Sequence, residues 1–169
     1  MVSEKKVQVA IVMGSDSDME VMKNCIKQLE YFDIVPVVRI LSAHRTPDEA
    51  CDFALNAASN GIKVIIAAAG MAAHLAGAMA AHSNLPIIGV PLDSGKGLGG
   101  MDALLSTVQM PPGVPVATMG IGKAGAKNAA IFAIKILALE DKVLSEKLVQ
   151  FKNEQKNDVL GKDLALQKG

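Results

Sequence analysis

Four consecutive residues, Ser42, Ala43, His44 and Arg45, sit between the apolar run VPVVRI and the helix start TPDEA. An imidazole titrates near neutral pH and can give or take a proton, while a hydroxyl and a guanidinium beside it can hold a phosphate. A turn that only reverses the chain would use Gly, Asn or Asp instead. Pro47 suits the first helical position, with Thr46 as its cap and Glu49 as the capping-box partner. The three polar groups are therefore expected at the positive end of a helix, where an anion is stabilised. Ser42 and His44 are not expected to act as nucleophile and base. Neighbours two apart in an extended turn point different ways, and no G-x-S-x-G elbow is present.

Two further segments carry chemistry. GSDSD, Gly14 to Asp18, offers hydroxyls and backbone N–H groups that suit a phosphate and carboxylates that suit sugar hydroxyls, a mixture favouring a ribose phosphate. Read plainly, the same residues only cap a helix, with Asp16, Ser17 or Asp18 satisfying its amides. AAAGMAAHLAGAMAAH, Ala67 to His82, is almost all small residues with His74 at a helix entry. Small side chains admit the close approach of a ligand or of another helix, so sheet–helix packing and a subunit contact that completes a site both remain open.

Other patterns exclude more than they suggest. Gly95, Gly97 and Gly100, and again Gly120, Gly122 and Gly125, match G-x-G-x-x-G, but neither set opens a first βαβ unit, so no dinucleotide site is expected. The first set reads as a mobile lid, and Lys123 in the second lacks the frame of a nucleotide-binding P-loop. No metal-ligand spacing is present, and Cys25 and Cys51 read as packed thiols in a reducing compartment.

These residues need a scaffold, and the hydropathy supplies one. Apolar runs at Val7–Met13, Val35–Ile40, Lys63–Ala68, Pro86–Val90 and Val114–Met119 lack polar alternation, as strands covered on both faces do. Helices are expected over Met19–Phe32, Pro47–Asn60, about Ala73–His82, about Met101–Gln109 and about Ala124–Leu139, with a charged one over Asp141–Lys156. Five βα units make a doubly wound α/β domain with a parallel sheet, in which ligands lie beyond the carboxyl ends of the strands. Helix AAIFAIKILAL, Ala129 to Leu139, is apolar nearly all round and is expected between the sheet and another subunit. A single domain over residues 1–160 and a polar tail over 161–169 are expected.

Composition agrees with a globular chain: 169 residues, 50% hydrophobic, with 17 basic and 17 acidic side chains. Balanced charge, one Tyr, four Phe and no Trp give no footing for nucleic acid. The apolar run ending at Gly14 is too short for a signal peptide or a membrane span, so a cytoplasmic location and no membrane partner are expected.

Taken together, VAIVMGSDSD, SAHRTPDEA, AGMAAHLAG, GVPLDSG, STVQMPPGVPVATMGIGKAGAKNAA and KILAL resemble the class I PurE family, the N5-carboxyaminoimidazole ribonucleotide mutases of purine biosynthesis. The resemblance covers about Val7 to Leu160, with the unusual loops in the same order. It implies a flavodoxin-like three-layer sandwich with a five-stranded parallel sheet, a homo-octamer with sites at subunit contacts, and a C-terminal helix packed on a neighbour. It implies transfer of a carboxyl group from N5 to C4 of a ribonucleotide, without ATP, metal or organic cofactor. By position, Ser15, Ser17 and Asp18 bind the ribose phosphate, Ser42 and Arg45 add phosphate contacts, and His44 is the acid/base. Ala69, Gly70, Ala72, Ala73, His74 and Leu75 line the pocket, with Gly14, Ala43 and Met71 completing the set.

Class I members usually carry Gly at the place of Met71 and Pro at that of Ala76. The related class II enzymes carboxylate aminoimidazole ribonucleotide directly and typically carry an Arg-Ser-Asn segment where this chain reads MAAHL, so the sequence sides with class I. The direct carboxylase and a noncatalytic ribonucleotide-binding module are the competing readings.

Overall fold

The structure, a computed structural model, describes residues 7–167. Among them five parallel strands form one sheet in the order β2-β1-β3-β4-β5: β1 Val9–Met13, β2 Val37–Ile40, β3 Val64–Gly70, β4 Ile87–Leu92 and β5 Ala117–Thr118. The helices are α1 Met19–Tyr31, α2 Pro47–Asn56, α3 Leu75–His82, α4 Met101–Val108, α5 Gly122–Leu137 and α6 Lys142–Gln167. This order is the flavodoxin-like one, and the chain switches direction across the sheet between β1 and β3.

The described chain falls into two compact units, divided between Ala133 and Ile134. In the first, β1, β3 up to Ala68 and all of β4 are buried residue after residue, as continuous hydrophobicity requires. Alternate residues serve opposite faces. Ala10, Val12, Ile65 and Ala67 join Ala50 and Ala54 of α2 and Leu75, Ala76 and Met79 of α3 in one core layer. On α1, Met22, Cys25 and Leu29 are buried, and the Cys25 thiol bonds with the backbone of Ala130 in α5. Burial pushes that thiol up to about 12, so it is an inert packed group at neutral pH.

Several expectations are corrected here. The edge strands are not covered on both faces: β2 is half-buried to exposed, with Ile40 51% exposed, and it starts only after Pro36. Instead of Val114–Met119, only Ala117–Thr118 pairs with β4, because Pro115 has no N–H to give and Gly113 (φ +96°) turns the chain just before. Helix α2 stops at Asn56, and turns lead to Gly61 (φ +84°). The expected capping box at Thr46 does not form. Thr46 Oγ1 instead accepts from Ser42 N (2.8 Å) and donates to Ser42 O (3.2 Å), tying the turn back on itself. In the second unit, α6 continues past Lys156 and through Gly161 to Gln167, and residues 168 and 169 of the expected tail lie outside the described residues. Helix α5 buries Ala129, Ala130, Ala133, Ile134 and Leu137, and leaves Phe132 exposed.

Candidate active site

The loops after β1, β2, β3 and β4 meet around an open cavity of about 720 Å³ at the carboxyl ends of the strands, beside the switch point. The first loop is held by Gly14 N, which donates to Ala68 O (3.1 Å). A capping box does occur here: Ser15 N donates to Asp18 Oδ2 (3.1 Å) and Ser17 N donates to Ser15 Oγ (3.4 Å), closing a 3-10 turn ahead of α1. The capping and ligand readings of GSDSD are thus compatible, since Gly14, Ser15, Ser17 and Asp18 cap and also line the cavity. Burial raises the Asp18 carboxyl above its ordinary value, against the opposing pull of the Ser15 N–H.

In the second loop, Ser42 Oγ accepts from the backbone N–H of both His44 (3.3 Å) and Arg45 (3.2 Å). Its own proton stays available for a ligand oxygen. Arg45 Nη2 donates to Gly14 O (2.7 Å), which ties the second loop to the first and fixes the guanidinium over the cavity. Ser42, Ala43, His44 and Arg45 all line it.

The third loop contributes Ala69, Gly70, Met71, Ala72, His74 and Leu75 to the lining. Gly70 sits in a close space: a Cβ there would lie 3.2 Å from Leu92 O, so the neighbouring backbone would have to give by a few tenths of an ångström. Met71 adopts φ +55°, a left-handed conformation that side chains rarely take. Ala73 does not line the cavity; it is 2% exposed and points into the core, because the chain is already turning into α3. His74 precedes α3, and its Nδ1 lies 2.8 Å from His44 Nε2, the two rings edge to face.

Ser94 and Lys96 also line the cavity and were not singled out from sequence. Their signal was available: a lysine among glycines in a βα loop at the same sheet edge. Asp93 Oδ1 accepts from Gly95 N (2.8 Å) and Ser94 Oγ accepts from Lys96 N (3.3 Å), so the loop turns on its own side chains. Among the described residues no three His, Cys, Asp or Glu side chains gather as a metal site would need.

Chemically, the cavity offers the hydroxyls of Ser15, Ser17 and Ser42 and a guanidinium for a phosphate, an aspartate for ribose hydroxyls, a small-residue wall and an imidazole pair. The family model described as AIR carboxylase matches residues 8–158. The N5-carboxyaminoimidazole ribonucleotide mutase of Pyrococcus abyssi is 50% identical over 92% of this chain and 88% of that protein. The mutase of Bacillus subtilis is 52% identical over 90% and 93%. A crystal structure of Treponema denticola PurE superposes with a TM-score of 0.84 at 27% identity, covering 94% of this chain and 98% of that one. With the fold, the loop order and these matches in agreement, the chain belongs to the AIR carboxylase family.

Proposed function

We propose that this protein is an N5-carboxyaminoimidazole ribonucleotide mutase, with His44 as general acid and base. The observation that carries the assignment is one cavity holding His44, Arg45, the GSDSD hydroxyls and the small-residue third loop. The family model is named for direct carboxylation, whereas the curated relatives at about half identity are named mutases. Together with MAAHL in the third loop, that favours the mutase.

The chemistry suits one imidazole. Protonated His44 delivers a proton to the exocyclic nitrogen as the N–C bond breaks and CO2 leaves. The ring carbon C4 then attacks CO2, and neutral His44 removes the C4 proton, restoring the aromatic ring. The two transfers are sequential and opposite in sense, so the enzyme ends as it began. A small, apolar wall at Ala69, Gly70 and Ala72 keeps CO2 beside the ring, so that recombination outruns escape. Ser15, Ser17, Ser42 and Arg45 hold the phosphate, and Asp18 meets ribose hydroxyls. The chain's residues need no metal or organic cofactor for these steps. A homo-octamer and a cytoplasmic location belong to the same proposal. Both are what the resemblance to the class I PurE family implies; among the described residues no helix is long and apolar enough to cross a membrane.

The test is turnover with each substrate. Wild type should convert the N5-carboxy compound without ATP, and His44→Asn should bind it with kcat reduced by about 10²- to 10⁴-fold. Efficient carboxylation of aminoimidazole ribonucleotide with no mutase activity would establish the direct carboxylase instead, and an unimpaired His44→Asn would remove the acid/base role.

A further inference from the structure

We infer that Lys96, with Ser94 beside it, determines specificity in this site: its ammonium meets the carboxylate that the substrate carries on N5 and the product carries on C4. The inference rests on the mutase reading and deepens it, because it assigns the end of the nucleotide that the fourth loop recognises.

The sheet order places the loops. Read across the sheet, the strands run β2, β1, β3, β4, so the second loop is followed by the first, then the third and the fourth. Neighbouring strands lie about 4.8 Å apart, which puts the loop after β4 roughly 10 Å from the loop after β1 and roughly 14 Å from the loop after β2. The phosphate ligands Ser15, Ser17, Ser42 and Arg45 therefore sit at one end of the cavity, and Ser94 and Lys96 at the other. Between them lies the third loop, whose small residues hold CO2. Gly70 pairs with Leu92, and a Cβ on Gly70 would lie 3.4 Å from Ser94 Cβ, so the fourth loop is packed directly on that wall. His44 reaches the same side, its ring edge to face with that of His74. A nucleotide with its phosphate on the first two loops then directs its ring, and the carboxylate on it, toward Lys96.

The charges agree with this placement. Among the described residues that line the cavity, Arg45 and Lys96 are the fixed cations, and Arg45 is already tied to Gly14 O at the phosphate end. Among the described residues no carboxylate pairs with Lys96, so its charge is left for a ligand. Ser94 Oγ accepts from Lys96 N (3.3 Å) and keeps its own proton for a second oxygen of the same carboxylate. The reaction fixes what such a contact does. As the N–C bond breaks, its electron pair goes to the exocyclic nitrogen, which takes the proton of His44, and the carboxylate becomes neutral CO2. The ion pair with Lys96 is thus present in the substrate, lost as CO2 forms and restored in the product. An interaction stronger in the ground state than in the transition state lowers KM and does nothing to raise kcat. Lys96 therefore selects carboxylated nucleotides over aminoimidazole ribonucleotide without accelerating the chemistry.

Two variants and two ligands test this. Lys96→Gln keeps most of the side chain's length without its charge, and Lys96→Arg keeps the charge. By calorimetry, Lys96→Gln should bind the 4-carboxy product about tenfold more weakly than wild type, the low end for a hydrogen bond to a charged group, as suits an exposed lysine. Its affinity for aminoimidazole ribonucleotide, which has the phosphate and lacks the carboxylate, should stay within about twofold of wild type, and so should its kcat. Lys96→Arg should recover most of the lost affinity. Equal weakening of both ligands would put Lys96 on the phosphate and overturn the inference. So would an unchanged affinity for the carboxylated ligand, an arginine variant as weak as the glutamine one, or a fall in kcat as large as the fall in affinity. Failure of wild-type mutase turnover would overturn the reaction assignment, and the comparison of the two affinities reads the Lys96 contact independently of it.

Discussion

At the scale of single residues, Met71 shows how the site departs from the pattern its family resemblance implies. Its φ of +55° places a side chain where Gly would carry no steric cost, and Gly is the residue usual at this place in class I members. A non-glycine residue in this region costs about 1–2 kcal/mol. Glycine returns about 0.5–1 kcal/mol of that as extra freedom in the unfolded chain. Because Met71 is 53% exposed, it loses little packing on truncation. Met71→Gly should therefore match or slightly exceed wild type in urea midpoint, whereas Met71→Val, β-branched and least tolerant of positive φ, should lose about 1–2 kcal/mol. Equal losses in both variants would mean that contacts of the Met71 side chain, rather than its backbone, govern this turn. The residue also lines the cavity, so KM is the parameter to follow in the glycine variant.

At the scale of elements, the loops reach the cavity because the helices behind them sit close to the sheet, and glycine sets that closeness at β4. A Cβ on Gly89 would lie 2.3 Å from Thr107 Cγ2 of α4, 3.0 Å from Val116 Cγ1 and 3.4 Å from Ala76 Cβ of α3. Gly161, inside α6 six residues before its end, has nothing within 4 Å of the same position. The same substitution should thus act in opposite senses. Gly89→Ala overpacks a filled layer and should cost about 1–3 kcal/mol, while Gly161→Ala should gain about 1 kcal/mol from helix propensity; urea midpoints of the two variants decide. An unchanged midpoint for Gly89→Ala would mean that α4 shifts freely on the sheet. These elements also show what sequence could and could not convey. Continuous apolar runs identified β1, β3 and β4 because burial on both faces leaves a plain hydropathy signal. The edges β2 and β5 were overextended, since Pro36 and Pro115 interrupt pairing without interrupting hydrophobicity. The polar lining residues of GSDSD and of Ser42, His44 and Arg45 were legible from residue types in the βα loops, whereas the small residues of the third loop, which read equally as packing, came to the pocket only through the family resemblance. Ala73, brought to the pocket by the family resemblance, is buried beside the lining, and Ser94 and Lys96 were passed over because their loop read as a lid. The contact between His44 and His74 joins residues thirty positions apart and depends on the α2–α3 packing, which no local pattern encodes.

At the scale of the whole molecule, the exposed apolar surface is what an assembly of copies would cover. In the first unit, Met101, Leu105 and Val108 make a stripe along α4, each about half exposed. In the second, the 26-residue helix α6 buries only Leu144 and leaves Leu160 and Leu164, one turn apart, 48% and 54% exposed. A helix about 39 Å long gains little from propensity alone and draws its stability from packing. A second copy of the chain is a suitable cover, since equal numbers of acidic and basic side chains raise no net repulsion between copies. Covering a half-exposed leucine is worth about 1 kcal/mol, and each contact recurs by symmetry in a closed assembly. On the octamer that the family resemblance implies, light scattering on the eluted protein should give about eight times the chain mass of 17.6 kDa. Leu160→Lys combined with Leu164→Lys should lower that mass and, if the sites lie at subunit contacts, lower activity with it. A wild-type monomer at micromolar concentration would contradict the octamer. A double variant that keeps both mass and activity would move the contact away from α6 and leave the α4 stripe as the surface to test, with Leu105→Lys as the corresponding substitution.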